Sequence, residues 1–579
     1  MPYRLPRATR VVAVLAAVGL TAAASSQQEA AQRNQADAPP PLPQPEFIDG
    51  RLVFPPATDG PGVPRFLTDA ERRYLELHPL VAERDEGDGF GLRGPYVSPS
   101  GPIRCPGEYE PTDGILISWR SFTSILSQMG ARITNEGQAN LYVYCDSTTV
   151  RNSAQTALNN AGTNMSRVQF IIATTDSVWI RDYGPRYIYE GNVRSIIDHT
   201  YNRPRPYDNL IPTHFAGYKN HARYLIPLIH GGGNYHLNGI GDAFATRLIR
   251  NENPTLTEEQ IIGYWSQFQN VNTTLTDAFP TTVDLTQHID MWMQVTGDRS
   301  VVVADWPANS GSEQDVICDN TAALLTNAGW TVARVPGRNV SGAHYTYTNV
   351  VMCNDIILLP TYTNTTIVNA NYNTTALSTW QSHMPGKQIF QINCQTIVTS
   401  AGVMHCIVMH VPRHLGAAGP NGGLAPTAYL RNFRGGESVS PGQAQTIRYL
   451  SDDDVGVANV DILLSTDGGA SFPTVIAAAV SPTGMRTWTP PDIYTPNARI
   501  RVVARDAAGN TGFDQSPENF TINGTPCPAD FNLDGYATVS DIFAFLAAWF
   551  AGDDAADING GGIAVDDIFE FLASWFAGC

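Results

Sequence analysis

The sequence predicts an α/β region over about residues 101–415, then a β-sandwich over 430–524 and a small helical tail over 525–579. Three observations lead there. Up to about residue 411, short β-branched and aromatic runs alternate with helical patterns, as an α/β architecture requires. After Pro412 the helical patterns stop, and short strands punctuated by turns such as Asp467-Gly468-Gly469 follow at the spacing of an immunoglobulin-like sandwich. In the tail, Asp541-Ile542-Phe543-Ala544-Phe545-Leu546 recurs as Asp567-Ile568-Phe569-Glu570-Phe571-Leu572, an internal repeat.

Taken in order, residues 1–25 place Arg4, Arg7 and Arg10 before an apolar run over 11–20 and then Ala22-Ala23-Ala24, the layout of a secretory signal peptide. The run is too short to span a bilayer, so the reading is a secreted or periplasmic protein. Residues 26–100 are rich in Pro and Gln and read as an unpacked linker or pro-segment, in which Thr68 and Glu71 form a capping box opening a helix through Leu77. Strands are expected over 114–119, 140–145, 168–173, 301–304, 330–335, 350–359 and 388–392, and helices over 121–129, 153–160 and 316–328. A formal net charge of −18 argues against a nucleic-acid partner and suits cationic ones. Of eight cysteines, Cys527 and Cys579 look like a clasp around the tail, and Cys105, Cys145, Cys318, Cys353 and Cys394 are available for structural pairing.

Four stretches carry chemistry. Thr286-Gln287-His288-Ile289-Asp290-Met291-Trp292 sets an imidazole and a carboxylate two residues apart in an apolar run, which on a strand points both to one face. The others are Trp179-Ile180-Arg181-Asp182, Gly231-Gly232-Gly233-Asn234, and Met404-His405-Cys406. Two carboxylates, a histidine and a cysteine suit thiolate attack on a bound cationic carbon. Each has a plainer alternative: a hydrogen-bonded core histidine, an Asp182–Arg181 ion pair, a buried structural cysteine.

Occurring along the chain as Trp179-Ile180-Arg181-Asp182, Gly231-Gly232-Gly233-Asn234, the His288/Asp290 stretch and Met404-His405-Cys406, these motifs resemble the guanidine-modifying deiminases of the agmatine deiminase and Porphyromonas-type peptidylarginine deiminase families. The resemblance implies a pentein fold, a five-fold α/β propeller with its active site on the axis. It also implies that Cys406 is the nucleophile, that Asp182 and Asp290 bind the guanidinium, and that His288 moves protons. Trp179, Asn349, Gly232, Gly233 and Asn234 would line the pocket, with His405, His410 and His414 as scaffold or surface residues. No cofactor is needed for that chemistry. In Tyr201-Asn202-Arg203-Pro204-Arg205-Pro206, Arg203 and Arg205 match the element that reads a C-terminal carboxylate in the peptide-directed members. The expected substrate is therefore C-terminal peptidyl-arginine. Agmatine deimination is the runner-up, and an inactive secreted binding protein is the reading from another class.

In the tail, Asp530, Asn532, Asp534, Tyr536 and Asp541 have the spacing of a calcium loop and resemble EF-hand and dockerin modules. One good structural Ca2+ site is expected there and a weakened one at Asp557, Asn559 and Asp567. A cell-surface or complex partner for the tail would follow from that resemblance.

Overall fold

Five times between residues 112 and 412 the chain pairs two strands antiparallel, then crosses over through a helix to add a third strand in parallel. Arg186–Glu190, Val193–Tyr201 and Ala222–His230 form one such unit. His236–Leu237, Asp242–Thr246 and Asn272–Thr276 form the next. Met293–Gly297, Ser300–Asp305 and Thr331–Pro336 follow, then Val351–Cys353, Ile356–Thr361 and Gln388–Asn393. In the remaining unit the last strand of the region, Met409–Pro412, lies antiparallel to the first core strand, Thr112–Ser118, which is parallel to Asn140–Cys145. A fourth strand, Val168–Ile172, extends that sheet.

This computed structural model describes residues 42–83 and 98–578, so the expected signal peptide lies outside the described residues. Gln44–Cys579 forms one compact unit. The crossover helices begin where the sequence supplies caps: Ser147 accepts the Val150 N–H ahead of Thr148–Asn160, and Thr257 and Gln260 form a capping box for Glu258–Gln269. The expected single strand over 350–359 is instead a hairpin, because Asn354, at φ 50, turns the chain between Val351–Cys353 and Ile356–Thr361. The other predicted strands and helices occur with boundaries shifted by a few residues. No helix among the described residues is long and apolar enough to cross a membrane.

From residue 427 onward two sheets share one core, with Ile447 and Tyr449 on one and Val460, Ile462, Leu464, Ile500 and Val502 on the other. In the tail, Val539–Ala551 and Val565–Ala577 pack through stacked Phe545 and Phe571, with Trp549 and Trp575 each donating to a carbonyl beside the other helix. Cys105, Cys145, Cys318, Cys353, Cys394 and Cys406 are free and buried, so the first five, which the sequence left available for pairing, are unpaired. They lie on separate elements and behave as small core hydrophobes. Cys527 is disulfide-bonded, and Cys579 lies outside the described residues.

The segment expected to be unpacked is the largest departure. Residues 46–53 form a small hairpin, Asp69–Leu77 is a helix with the predicted Thr68/Glu71 capping box, and the chain between them is laid into the α/β region. Arg65 and Glu71 are fully buried.

Candidate active site

Each link from the parallel strand of one unit to the first strand of the next contributes to one buried cluster. Between residues 172 and 186 the short helix Ile180–Tyr183 carries Asp182, and between 230 and 236 lies the turn Gly232–Asn234. The third link carries His288 and the turn Ile289–Met291, the fourth Asn349, and the fifth the turn His405–Ile407 with Cys406. Asp182, His288, Asp290, Asn349, His405 and Cys406 are each at most 1% exposed.

His288 and Asp290 converge as expected, though not on a strand. The Asp284 carboxylate accepts the Thr286 and Gln287 N–H groups, which folds the chain into a turn with Gln287 at φ 59. Asn234 Oδ1 then accepts the Ile289 N–H at 3.3 Å and ties this link to its neighbour. Ala401, at φ 62, bends the chain ahead of Cys406 in the same way. Left-handed backbone at non-glycine residues costs about 1–3 kcal/mol each and persists where surrounding contacts over-determine it.

At the centre lies the guanidinium of Arg65. Asp182 takes its side edge, with Nε to Oδ2 at 2.8 Å and Nη2 to Oδ1 at 2.6 Å. Asp290 takes its end, with Nη1 to Oδ1 at 3.2 Å and Nη2 to Oδ2 at 3.1 Å. Nη1 is 2.7 Å from Cys406 Sγ, and Nη2 is 2.8 Å from His288 Nδ1. All three nitrogens of the planar fork thus have acceptors, which is the condition for burying an arginine. The glycines explain how the backbone comes so close: a Cβ on Gly233 would lie 1.9 Å from Arg65 Nη2, and one on Gly232 would lie 2.4 Å from the Arg181 carbonyl oxygen.

Burial works against both carboxylates, but Arg65, with the neighbouring histidines, more than offsets it and holds Asp182 and Asp290 below the usual carboxylate range. For Arg65 burial is likewise outweighed, by Asp182, Asp290 and Cys406, and its pKa is raised. The Cys406 thiol is pushed up, chiefly by burial, with Arg65 opposing and Asp290 and Asp182 adding to the rise. Of the groups around the sulfur, the Arg65 cation is the charge that works toward the thiolate, against burial and the two carboxylates. Asn349 supports it, with Nδ2 3.2 Å from Sγ and Oδ1 accepting the His405 N–H at 3.0 Å.

A family model described as Porphyromonas-type peptidyl-arginine deiminase matches residues 104–412, more than half of the chain. The chain belongs to this family. It is accordingly a deiminase-family hydrolase acting on C–N bonds of amidines. Among curated relatives, a putative agmatine deiminase of Shewanella sp. strain MR-4 is 25% identical over 293 residues, covering 43% of this chain and 76% of the relative. One of Legionella pneumophila is 22% identical over 268 residues, covering 42% of this chain and 75% of the relative. Among solved structures, a putative arginine deiminase of Porphyromonas gingivalis is 19% identical, with a TM-score of 0.48, over 54% of this chain and 99% of that one. The C. jejuni agmatine deiminase is 16% identical, with a TM-score of 0.46, over 54% of this chain and 96% of that one.

In this deiminase the predicted residues fall into three groups. Asp182, Asp290, His288, Cys406, Gly233 and Asn349 surround the guanidinium or the sulfur. Trp179, Gly232 and Asn234 support from behind: Trp179 Nε1 donates to the Val63 carbonyl at 2.7 Å, and Asn234 pins Ile289. Arg203 and Arg205 do not act as a matched pair. Arg203 Nε donates to the Arg65 carbonyl at 3.1 Å, whereas Arg205 donates to the Pro64 carbonyl at 2.7 Å and to Glu71 Oε1 at 2.7 Å.

His405 is no surface residue. Its Nδ1 is 3.0 Å from Asp290 Oδ2 and its Nε2 is 2.9 Å from Glu108 Oε2, so it orients the carboxylate that holds the guanidinium. His410 and His414 are also drawn into ion-pair networks, His410 beside Arg181 and Glu108 and His414 beside Asp452. Sequence reasoning missed Arg65 and Glu108. Glu108 stands in Glu108-Tyr109-Glu110-Pro111 ahead of the first core strand, and only the fold brings it to His405. Glu108, His236 and His405 place one ligand atom each within 4.8 Å of one another, a group able to hold a metal ion. Arg181 Nη1 lies 2.6 Å from Glu108 Oε1, however, and this cation already serves that carboxylate.

Proposed function

We propose that the protein hydrolyses peptidyl-arginine to peptidyl-citrulline and ammonia, with preference for a free C-terminal arginine. The observation that carries this reading is Arg203, which donates to the main-chain carbonyl of the arginine seated in the pocket. A terminal carboxylate at that carbonyl would add charge and a second oxygen. Agmatine has no group there, although the curated relatives carry its name.

In this mechanism Asp182 and Asp290 fix the guanidinium plane, and Cys406 attacks the central carbon as thiolate. His288 gives its proton to the departing ammonia and then takes one from the water that releases citrulline. Holding the reacting groups in contact supplies much of the acceleration, since bringing them together costs no further entropy. The test is citrulline release from arginine-terminated peptides, from the same peptides amidated, and from agmatine. Equal or better turnover of agmatine would overturn the peptide assignment.

The five strand units are inferred to ring the site as the blades of a pentein propeller, since every inter-unit link reaches the same cluster. The two-sheet region is read as an immunoglobulin-like module, the N-terminus as a signal for export, and the tail as a dockerin-like docking element. Within the tail, Asp530 accepts the Asp534 and Gly535 N–H groups, and Asp541 accepts those of Asn532 and Thr538. Burial, with Asp541 and Asp534 close by, raises the Asp530 carboxyl above its ordinary range. Crowded oxygen donors of this kind fit a hard cation. Asp530, Asn532, Asp534 and Asp541, with the Tyr536 carbonyl, would hold Ca2+ as a structural ion. Calcium should raise the melting point of the tail and leave turnover unchanged, and a chelator that stopped turnover would contradict that role.

A further inference from the structure

Arg65 reaches the pocket from the chain's own N-terminal segment, and that segment is held as a peptide substrate would be held. The backbone is fastened on both sides of the arginine: the Val63 carbonyl to Trp179, the Pro64 carbonyl to Arg205, the Arg65 N–H to the Ser400 carbonyl at 3.0 Å, and the Arg65 carbonyl to Arg203. One turn into the following helix, Glu71 anchors on Arg205. Upstream, Thr58 donates to the Arg120 carbonyl and Gly60 accepts from Phe122. With Arg65 in place the site is shut, since both carboxylates and the sulfur are at most 1% exposed. A purely structural arginine needs carboxylates; it needs neither a thiol at 2.7 Å nor an imidazole at 2.8 Å.

We propose that Arg65 is a modification site for the chain's own activity: the protein deiminates Arg65, which until then closes the active site against other guanidines. The proposal rests on the deiminase reading above. The Cys406 thiolate forms a bond to Cζ, the Cζ–Nη2 bond breaks, and Nη2 leaves as ammonia with the proton that His288 supplies. Water then adds to Cζ and returns a proton to His288, and the S–Cζ bond breaks to restore the thiolate. The O-protonated ureido group left on Cζ passes its proton to the ammonia, so argininium and water become citrulline and ammonium. Nη2 is the leaving group because it faces His288 Nδ1. The oxygen that replaces it would face Asp182 Oδ1 and Asp290 Oδ2, which held Nη2 at 2.6 and 3.1 Å. A neutral ureido oxygen against two carboxylate oxygens is repelled, so conversion releases the segment. An internal residue is accepted here because the tether supplies the local concentration that a free peptide gains from its terminal carboxylate.

The test is peptide mapping of the full chain, wild type and Cys406→Ala, read by the mass gain of citrulline and by loss of tryptic cleavage after residue 65. Citrulline at 65 in the wild type and arginine in Cys406→Ala is expected. Arg65→Gln should deiminate an added arginine-terminated peptide without the lag that freshly folded wild type shows, and Arg65→Lys, which keeps the cation but has no guanidinium carbon, should stay closed. Arginine retained at 65 in wild-type protein that converts the added peptide would overturn the proposal and spare the deiminase reading. Conversion of neither would overturn both. Citrulline appearing at 65 of Cys406→Ala on mixing with wild type would refute the intramolecular route.

Discussion

Two buried arginines, Arg65 and Arg194, satisfy the same physical requirement in different surroundings. Arg194 Nε and Nη2 donate to the two oxygens of Asp452 at 2.7 and 3.1 Å, its other side-chain hydrogen bonds go to the carbonyls of Pro412 and Asp453, and Nη1 lies 3.9 Å from Asp113 Oδ2. Asp452 is shared with His221 and His414. In both clusters burial is outweighed by pairing, so the arginine's pKa is raised and the carboxylate's lowered. The difference lies in what else touches the guanidinium. Arg194 sits on the sheet strand Val193–Tyr201 and joins it to Gln445–Asp452 of the two-sheet region, and its side-chain hydrogen bonds go to carboxylate and carbonyl oxygens. Among the described residues, the segment that carries Arg65 has no strand pairing to the α/β sheets, and Arg65 meets a thiol and an imidazole. A buried ion pair by itself thus says little about function, and the reactive neighbour decides it.

The largest expected contrast is at Cys406. Cys406→Ala should abolish citrulline formation from any guanidine while keeping the melting temperature near wild type, since it removes one small buried atom. Residual turnover above background would mean that the sulfur is not the nucleophile. The mirror experiment is Asp452→Asn, which leaves Arg194 buried without its counter-charge. It should cost about 3–5 kcal/mol in denaturant unfolding, with turnover per folded molecule unchanged. A turnover defect in folded Asp452→Asn would break the comparison by making the second cluster part of the catalytic apparatus.

Smaller effects follow at Asp182 and Asp290. Either residue changed to Asn loses charge-assisted contacts of about 1.5–3 kcal/mol each, so kcat/KM on arginine peptides should fall by about tenfold or more. Wild-type kinetics in either variant would remove that residue from the site.

The smallest effect is in acid. Asp452 is lowered from its ordinary carboxylate value because Arg194 and His221 outweigh the burial that would raise it, so its contribution is complete above about pH 4. That contribution is lost as pH falls through the depressed folded value, where the native carboxylate must take up a proton. Wild type should therefore lose stability on acidification below about pH 4, and Asp452→Asn should have a flatter profile over that window. Parallel profiles would show that the carboxylate's charge is not what joins the two regions.

Much was legible locally. Alternating periods marked the strands and helices, the Thr68/Glu71 capping box marked the start of Asp69–Leu77, and the tail repeat appeared as two packed helices. Asp182, His288, Asp290 and Cys406, singled out by the resemblance of their motifs to a known family, do meet in one buried cluster. What periodicity could not supply was the conformation of the links. An Asx turn at Asp284 replaced the expected strand at His288, and the apolar pattern around it was burial without extension.

The tertiary structure alone decided which groups meet. Arg65 and Cys406 are 341 residues apart, and Glu108 and His405 are 297 apart. Pattern reading registers neighbours within a turn or a hairpin, and nothing local distinguishes Arg65 from a solvated arginine in a proline-rich segment. The same limit applied to Arg203 and Arg205, which the sequence presents as a matched pair on one loop. The fold separates them, because Glu71 is carried to Arg205 by a helix that begins only three residues after the arginine in the pocket, at Thr68. Residue types and local elements were thus determined by the sequence itself. Their meeting in one desolvated cluster depended on long-range packing, since only there do burial and opposite charge act together.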